Sequence, residues 1–235
     1  MTDASPETSR ILREYERRDR EIAADFYALH HPVNLFLRHS HEEAILWGLR
    51  VAGLAPLAGR RVLEIGCGTG RWFHLFDQFG AAPDAVAGIE LGPGRAAAAR
   101  AAHPSADVRL GDAAALPWPD GSFDLVFQCT VMTSILDPTV RRRVAAEMLR
   151  VLTPDGAILW LDFFYDNPRN AEVRGVRKRE IAELFPTCSI VRRRVSLAPP
   201  LARRLVPWSW RLARLLETTT LLNTHYAAVI RRRNP

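Results

Sequence analysis

The chain has 235 residues, 48% of them hydrophobic, which is enough for one sizeable core with extensions. No run of 18 apolar residues occurs, so no membrane-spanning helix is expected, and three scattered cysteines argue for reduced thiols and a cytoplasmic chain without a disulfide or zinc framework. The net charge of +6 is unevenly spread: residues 166–235 carry 15 basic and 5 acidic side chains, whereas the first 165 residues carry 17 and 21.

In chain order, the opening segment MTDASPETSRILREYERRDRE is charged and lacks the apolar stretch of a secretory leader. Residues 1–9 read as disordered. Ile11 to about Leu29 reads as a helix, with Ile11, Tyr15, Ile22 and Phe26 near a helical period, broken at His30-His31-Pro32. Ser40 with Glu43 reads as a capping box opening the next helix, which runs to about Gly53. Strands and helices then alternate: strand 61–65, helix 71–79, strand 85–90, helix 93–102, strands 107–110 and 123–129, helix 138–152, strand 156–163, helix 177–184, and strands 189–197 and 225–231. Such alternation predicts an α/β fold whose parallel sheet is covered on both faces.

The most specific signal lies at Val62-Leu63-Glu64-Ile65-Gly66-Cys67-Gly68-Thr69-Gly70, where a buried strand runs into alternating glycines and then a helix. Glycine permits the sharp turn and lets backbone approach a ligand. The spacing is G-x-G-x-G rather than the dinucleotide pattern G-x-G-x-x-G. Glu90 ends the next strand about 20 residues on, where a carboxylate can accept from both hydroxyls of a ribose. Asp112 follows the third strand, Leu116–Val126 reads LPWPDGSFDLV, and Glu147–Gly156 reads EMLRVLTPDG.

With these four segments in order over about residues 60–165, the chain resembles the class I S-adenosylmethionine-dependent methyltransferases. The resemblance implies a doubly wound, Rossmann-like seven-stranded sheet, with six parallel strands, an antiparallel seventh and helices on both faces. It also implies S-adenosylmethionine as cofactor and S-adenosylhomocysteine as product. Carried onto this chain, Glu64, Gly66, Cys67, Gly68 and Gly70 would hold the methionine part, Glu90 with Leu91 the ribose, and Asp112 with Ala113 the adenine, with Gln128 near the end of the fourth strand. Segments FYALHHPVNLF (Phe26–Phe36) and LAPPLARRL (Leu197–Leu205) are also similar to a bacterial, type 11-like subgroup. The expected division is a helical cap over residues 1–45 and a methyltransferase domain over 46–235, with 198–224 as a lid between strands six and seven.

Methyl transfer to a hydroxyl needs a general base within hydrogen-bond reach. The candidate bases are His30, His31, His39, His41, Asp162, Tyr165 and His225, of which His41, Asp162 and Tyr165 are the leading catalytic candidates. No metal site is expected, because His39 and His41, two residues apart, point in different directions on a helix and no zinc pattern accompanies them. After strand four the chain reads Gln128-Cys129-Thr130-Val131-Met132-Thr133. That run lacks the N/D-P-P-Y/F motif of enzymes acting on DNA bases, the paired glutamates of protein-arginine enzymes and the Pro-Cys of C5-cytosine enzymes.

A small-molecule or glycan-precursor acceptor, phosphorylated or lipid-linked and methylated at oxygen, is therefore expected, and no nucleic acid. An amine acceptor and a non-catalytic cofactor-binding partner protein are the alternatives. On one helical wheel Leu201, Leu205, Trp208, Leu212, Leu215 and Leu216 share a stripe, with Arg203, Arg204, Trp210, Arg211 and Arg214 opposite. Pro207 makes two short helices as good a reading as one. Peripheral membrane contact through 201–216 is the sharper expectation for this stripe, and packing on the sheet the plainer one.

Overall fold

The computed structural model describes residues 5–23, 25–168 and 170–233. Seven strands form one sheet: β1 (Val62–Ile65), β2 (Val86–Glu90), β3 (Asp107–Leu110), β4 (Phe123–Cys129), β5 (Leu152–Phe163), β6 (Cys188–Leu197) and β7 (Asn223–Arg232). Their order is β3-β2-β1-β4-β5-β7-β6, with β7 antiparallel to both neighbours and the other strands parallel. β1 and β2 are buried at every position, as central strands covered on both faces must be. The strand order reverses between β1 and β4, so the crevice beyond their carboxyl ends is the natural ligand site.

One face of the sheet packs Val62, Leu125, Leu159 and Val229 against helices α2 (Pro32–Val51), α3 (Phe73–Gln78) and α4 (Pro93–Ala102). The other packs Leu63, Val126, Trp160 and Ile230 against α5 (Pro138–Arg150) and α6 (Lys178–Leu184), and helix α1 (Pro6–Glu21) adds Ile11 at its margin. Asp137 caps α5, its carboxylate accepting from the N–H groups of Thr139 and Val140. A third, smaller cluster joins Phe36 of α2 and Leu197 of β6 to helices α7 (Pro199–Leu205) and α8 (Trp210–Thr218).

The flanking segments depart from expectation in several places. Pro6–Ser9 are helical, because Ser5 caps α1 by accepting from Thr8 N–H and Pro6 occupies the first turn; residues 1–4 lie outside the described residues. α1 ends at Glu21, where Ile22 turns extended, and Phe26 is 43% exposed. The second helix starts at Pro32, eight residues before Ser40, which is buried mid-helix with its hydroxyl 2.8 Å from that of Ser196. The expected 45/46 boundary therefore falls inside α2. Of the two readings of 201–216 the structure has the two short helices, packed mainly on α2 and the end of β6; Trp210, expected opposite the leucine stripe, turns inward against Phe36 (centroids 5.1 Å apart), while Trp208 and Leu215 stay exposed.

Candidate active site

The glycine loop is positioned by backbone geometry. Gly66 sits at φ +62°, and a Cβ there would lie 2.6 Å from Cγ2 of Val131, which comes from the exit of β4. Gly68, at φ +57°, faces open space, with nothing within 4 Å of a Cβ placed on it. Glu90 ties the loop to β2: one carboxylate oxygen accepts from Gly68 N–H (2.9 Å) and the other from Gly92 N–H (2.8 Å). Asp112 accepts from Ala114 N–H (2.8 Å) and from the hydroxyl of Thr8 (3.1 Å). Gln128 accepts from Val131 N–H through Oε1 (3.1 Å), while its buried Nε2 has no partner.

Glu64 is 2% exposed, and its Oε2 has no hydrogen-bond partner. Burial pushes its carboxyl well above the ordinary value, Arg71 and Arg38 pull it back, and Glu90 adds to the rise. Leu91 and Ala113 line a cavity of about 50 Å³ with Gly66, Asp112 and Val131, and Thr8, Ile11 and Tyr15 of α1 close it. The Arg95 guanidinium lies 3.9 Å from the Tyr15 ring centroid and braces that closure. Cys67 is buried among the α3-side residues, and burial raises its thiol.

A second group gathers beside it from separated elements. His41 of α2 has its ring centroid 5.0 Å from that of His225 and 6.2 Å from Trp72. His225 in turn lies 3.8 Å from Phe163. The buried Nε2 of His41 has no partner. Burial, with Arg71 and Arg38 nearby, pushes His41 down to about 3, and burial with the His41 neighbour holds His225 well below the usual imidazole value. Both rings are therefore neutral at pH 7. Arg38 caps the group, its guanidinium 3.9 Å over the Trp72 ring.

Asp162, fully buried, accepts from the Thr133 hydroxyl (2.8 Å), Thr133 N–H (3.2 Å) and Phe163 N–H (2.9 Å). Burial lifts its carboxyl to about 6 against those hydrogen bonds. Tyr165 is 55% exposed, with its ring on Phe164 (4.6 Å between centroids).

Sequence reasoning missed several members of this arrangement. Thr130 adopts φ +59°, a left-handed conformation costly for a β-branched residue, and its carbonyl accepts from Thr133 and Ser134 hydroxyls. No sequence signal marks it. Arg38 and Trp72 were also overlooked, although Trp72 follows the glycine loop directly. His39 turns toward the lid, its ring 5.9 Å from Trp210, so His39 and His41 do diverge. Asp25, His30 and His31 bring donor atoms within 4.8 Å of one another in the exposed α1–α2 connection.

The sequence profile of a family described as "Methyltransferase domain" matches residues 62–156, the stretch that builds β1 to β4, the glycine loop and the start of β5. Over these residues the chain carries a methyltransferase domain. It is 34% identical over 143 residues to the 27-O-demethylrifamycin SV methyltransferase of Amycolatopsis mediterranei, covering 57% of this chain and 50% of that one. It is 31% identical over 176 residues to phthiotriol/phenolphthiotriol dimycocerosates methyltransferase 1 of Mycobacterium ulcerans, covering 68% and 61%. The chain thus spans about half the length of the curated relatives it matches.

In fold, the chain superposes on the geranyl diphosphate C-methyltransferase of Streptomyces coelicolor with a TM-score of 0.69 over the whole of both chains at 13% identity. That structure contains S-adenosylhomocysteine. The cofactor of the family fits the residues present here. An unpartnered buried carboxyl (Glu64) suits a cationic amino acid group, Glu90 and Asp112 are acceptors for ribose and adenine donors, and the face of Gly68 is open. Among the described residues, no helix is long and apolar enough to cross a membrane.

Proposed function

We propose that the protein transfers a methyl group from S-adenosylmethionine to a small-molecule or glycan-precursor acceptor, at oxygen. In this reading Glu64, Gly66, Cys67, Gly68 and Gly70 hold the methionine half, Glu90 and Leu91 the ribose, and Asp112 and Ala113 the adenine, with Gln128 at the exit of β4. When bound, the cofactor supplies an electrophilic methyl carbon on a sulfonium and leaves as a neutral thioether. The protein's task is then to place a nucleophile and exclude water.

The observation that carries the oxygen reading is the bare Nε2 of His41, a buried, neutral imidazole nitrogen beside His225 and Trp72. It can accept the hydroxyl proton as the acceptor oxygen bonds to the methyl carbon. Asp162, whose hydrogen bonds go to Thr133 and Phe163, sets the β4 exit rather than taking the proton, and Tyr165 stands exposed at the rim. The rifamycin relative, whose name places its methyl group at oxygen, supports the same class of acceptor.

Calorimetric titration with S-adenosylmethionine and S-adenosylhomocysteine, followed by a radiolabelled-methyl screen of hydroxylated acceptors, tests this. Micromolar binding and labelled product are expected. In the His41→Asn variant turnover should fall about 10²- to 10⁴-fold while cofactor affinity stays unchanged. Absence of binding to either compound would overturn the proposal, and an equally active His41→Asn variant would remove the base.

A further inference from the structure

The lid presents an outward face that its own packing does not use. Inward, Ala202, Val206, Ala213 and Trp210 seal against Phe36. Outward, Trp208 is 77% exposed, Leu215 64% and Leu221 74%. Arg211 and Leu215, four apart, stand one above the other on α8, and Trp208 lies in the turn that leads into it. Leu221 lies beyond the end of α8, and the neighbouring Leu222 carbonyl accepts from Ala198 N–H (2.9 Å), which ties this loop to the start of α7. On α7 the Arg203 guanidinium lies 5.6 Å from the ring centroid of Phe26, so the half-exposed end of the α1–α2 connection continues the same surface.

The charge on this face has one sign. Between residues 198 and 222 the sole acid is Glu217, which is buried and bonded to Arg214. Among the described residues, Arg203, Arg204 and Arg211 pair with no carboxylate, whereas Arg214 takes both Glu43 and Glu217. A nucleic acid would account for the arginines but not for bare Leu215 and Leu221. An anionic bilayer takes both, with aliphatic and indole groups entering the headgroup boundary while guanidinium groups stay with lipid phosphates.

We propose that the outward face of α7–α8, carrying Trp208, Leu215 and Leu221 among Arg203, Arg204 and Arg211, docks the protein peripherally on an anionic lipid surface. The inference does not rest on the methyl-transfer reading, since docking needs neither cofactor nor acceptor. It would place the lid, and α2 beneath it, at the bilayer boundary, the side from which a lipid-linked acceptor would come.

The test is flotation of the whole protein with phosphatidylcholine vesicles, with and without about 30% phosphatidylglycerol, at low salt and at about 0.5 M salt. Flotation is expected with the anionic vesicles at low salt only. The combined Trp208→Ser, Leu215→Ser and Leu221→Ser variant should lose at least about tenfold in binding, as should Arg203→Glu with Arg204→Glu. Because all five side chains are wholly or mostly on the surface, unchanged urea midpoints should show that both variants fold. The proposal is overturned by no flotation with anionic vesicles, by equal flotation of the folded variants, or by binding of a labelled RNA without vesicle binding.

Discussion

Around the glycine loop the cleft is made of backbone and short acidic side chains: Gly66 and Gly68 at positive φ, Glu90 gripping two N–H groups, and Asp112 holding Ala114. On the other side it is made of rings brought from α2, the loop before α3, β5 and β7: His41, Trp72, Phe163 and His225. Each side leaves buried polar atoms bare, Glu64 Oε2 and Gln128 Nε2 on the first and His41 Nε2 on the second, but only the second keeps two imidazoles neutral by burial. A side built on local geometry can hold one ligand in many proteins, while a side built on distant rings can differ in each.

The comparison is best broken first at its frame. Arg141 is fully buried in α5 and donates to Ile135 O (2.5 Å), Arg174 O (3.0 Å) and Glu180 (2.6 Å), holding together the connections after β4 and β5. Arg141→Ala should cost about 3–5 kcal/mol by chemical denaturation, because two carbonyls and a carboxylate lose their donor at once. A loss below about 1 kcal/mol would show that this network does not hold the site. Next, Glu90→Ala should weaken cofactor binding about 100-fold in calorimetry, since it removes a carboxylate and frees the Gly68 and Gly92 N–H groups. Unchanged affinity would mean that the loop side has been misplaced.

The two sides also differ in how far the sequence discloses them. Strands β1 to β4 and the glycine loop lie within a residue or two of their expected positions, because buried parallel strands and positive-φ glycines are written in consecutive residues. Ser40 illustrates the opposite. Its spacing to Glu43 satisfies a capping rule, yet Pro32 starts the helix earlier, and the hydroxyl's true partner is Ser196, 156 positions away. A single wheel over 201–216 fails for a related reason: the turn at Pro207 rotates α8 relative to α7, which carries Trp210 in and Trp208 out. The exchange of rings that makes the histidine side is tertiary, and no local pattern records it.

The histidine side makes a smaller prediction, in pH. His41 titrates at 6.5 when exposed and at about 3 in the fold, so the unfolded chain binds more protons between those values. Its contribution to stability is complete above 6.5 and is lost as pH falls through that window, and His225 acts in the same direction. Asp162, raised from 3.8 to about 6, has the opposite sign: its contribution is complete below 3.8 and is lost as pH rises through 6. His41→Phe keeps a ring in place and removes one titration. On going from pH 7 to pH 5, urea unfolding should show the variant losing about 2 kcal/mol less than the unsubstituted protein. Parallel losses would mean that His41 is already solvated.

The smallest expected effect lies where α1 covers the loop side. The Thr8 hydroxyl donates to Asp112 at the carboxylate oxygen left free by Ala114, and lies 2.8 Å from Ser5 Oγ. Thr8→Val keeps the side-chain shape and removes that donor. If the hydroxyl stands where an adenine amine would bond, the free protein loses one stabilising contact that the complex never had. Cofactor affinity should then rise two- to fivefold, about 0.5–1 kcal/mol, the lower part of the net range for one hydrogen bond, because the pair is half exposed to water. Calorimetry on the two proteins in one buffer resolves a change of that size. Weaker binding by the same factor would assign Thr8 to the site itself, with α1 sharing Asp112 with the cofactor and belonging to the loop side of the cleft.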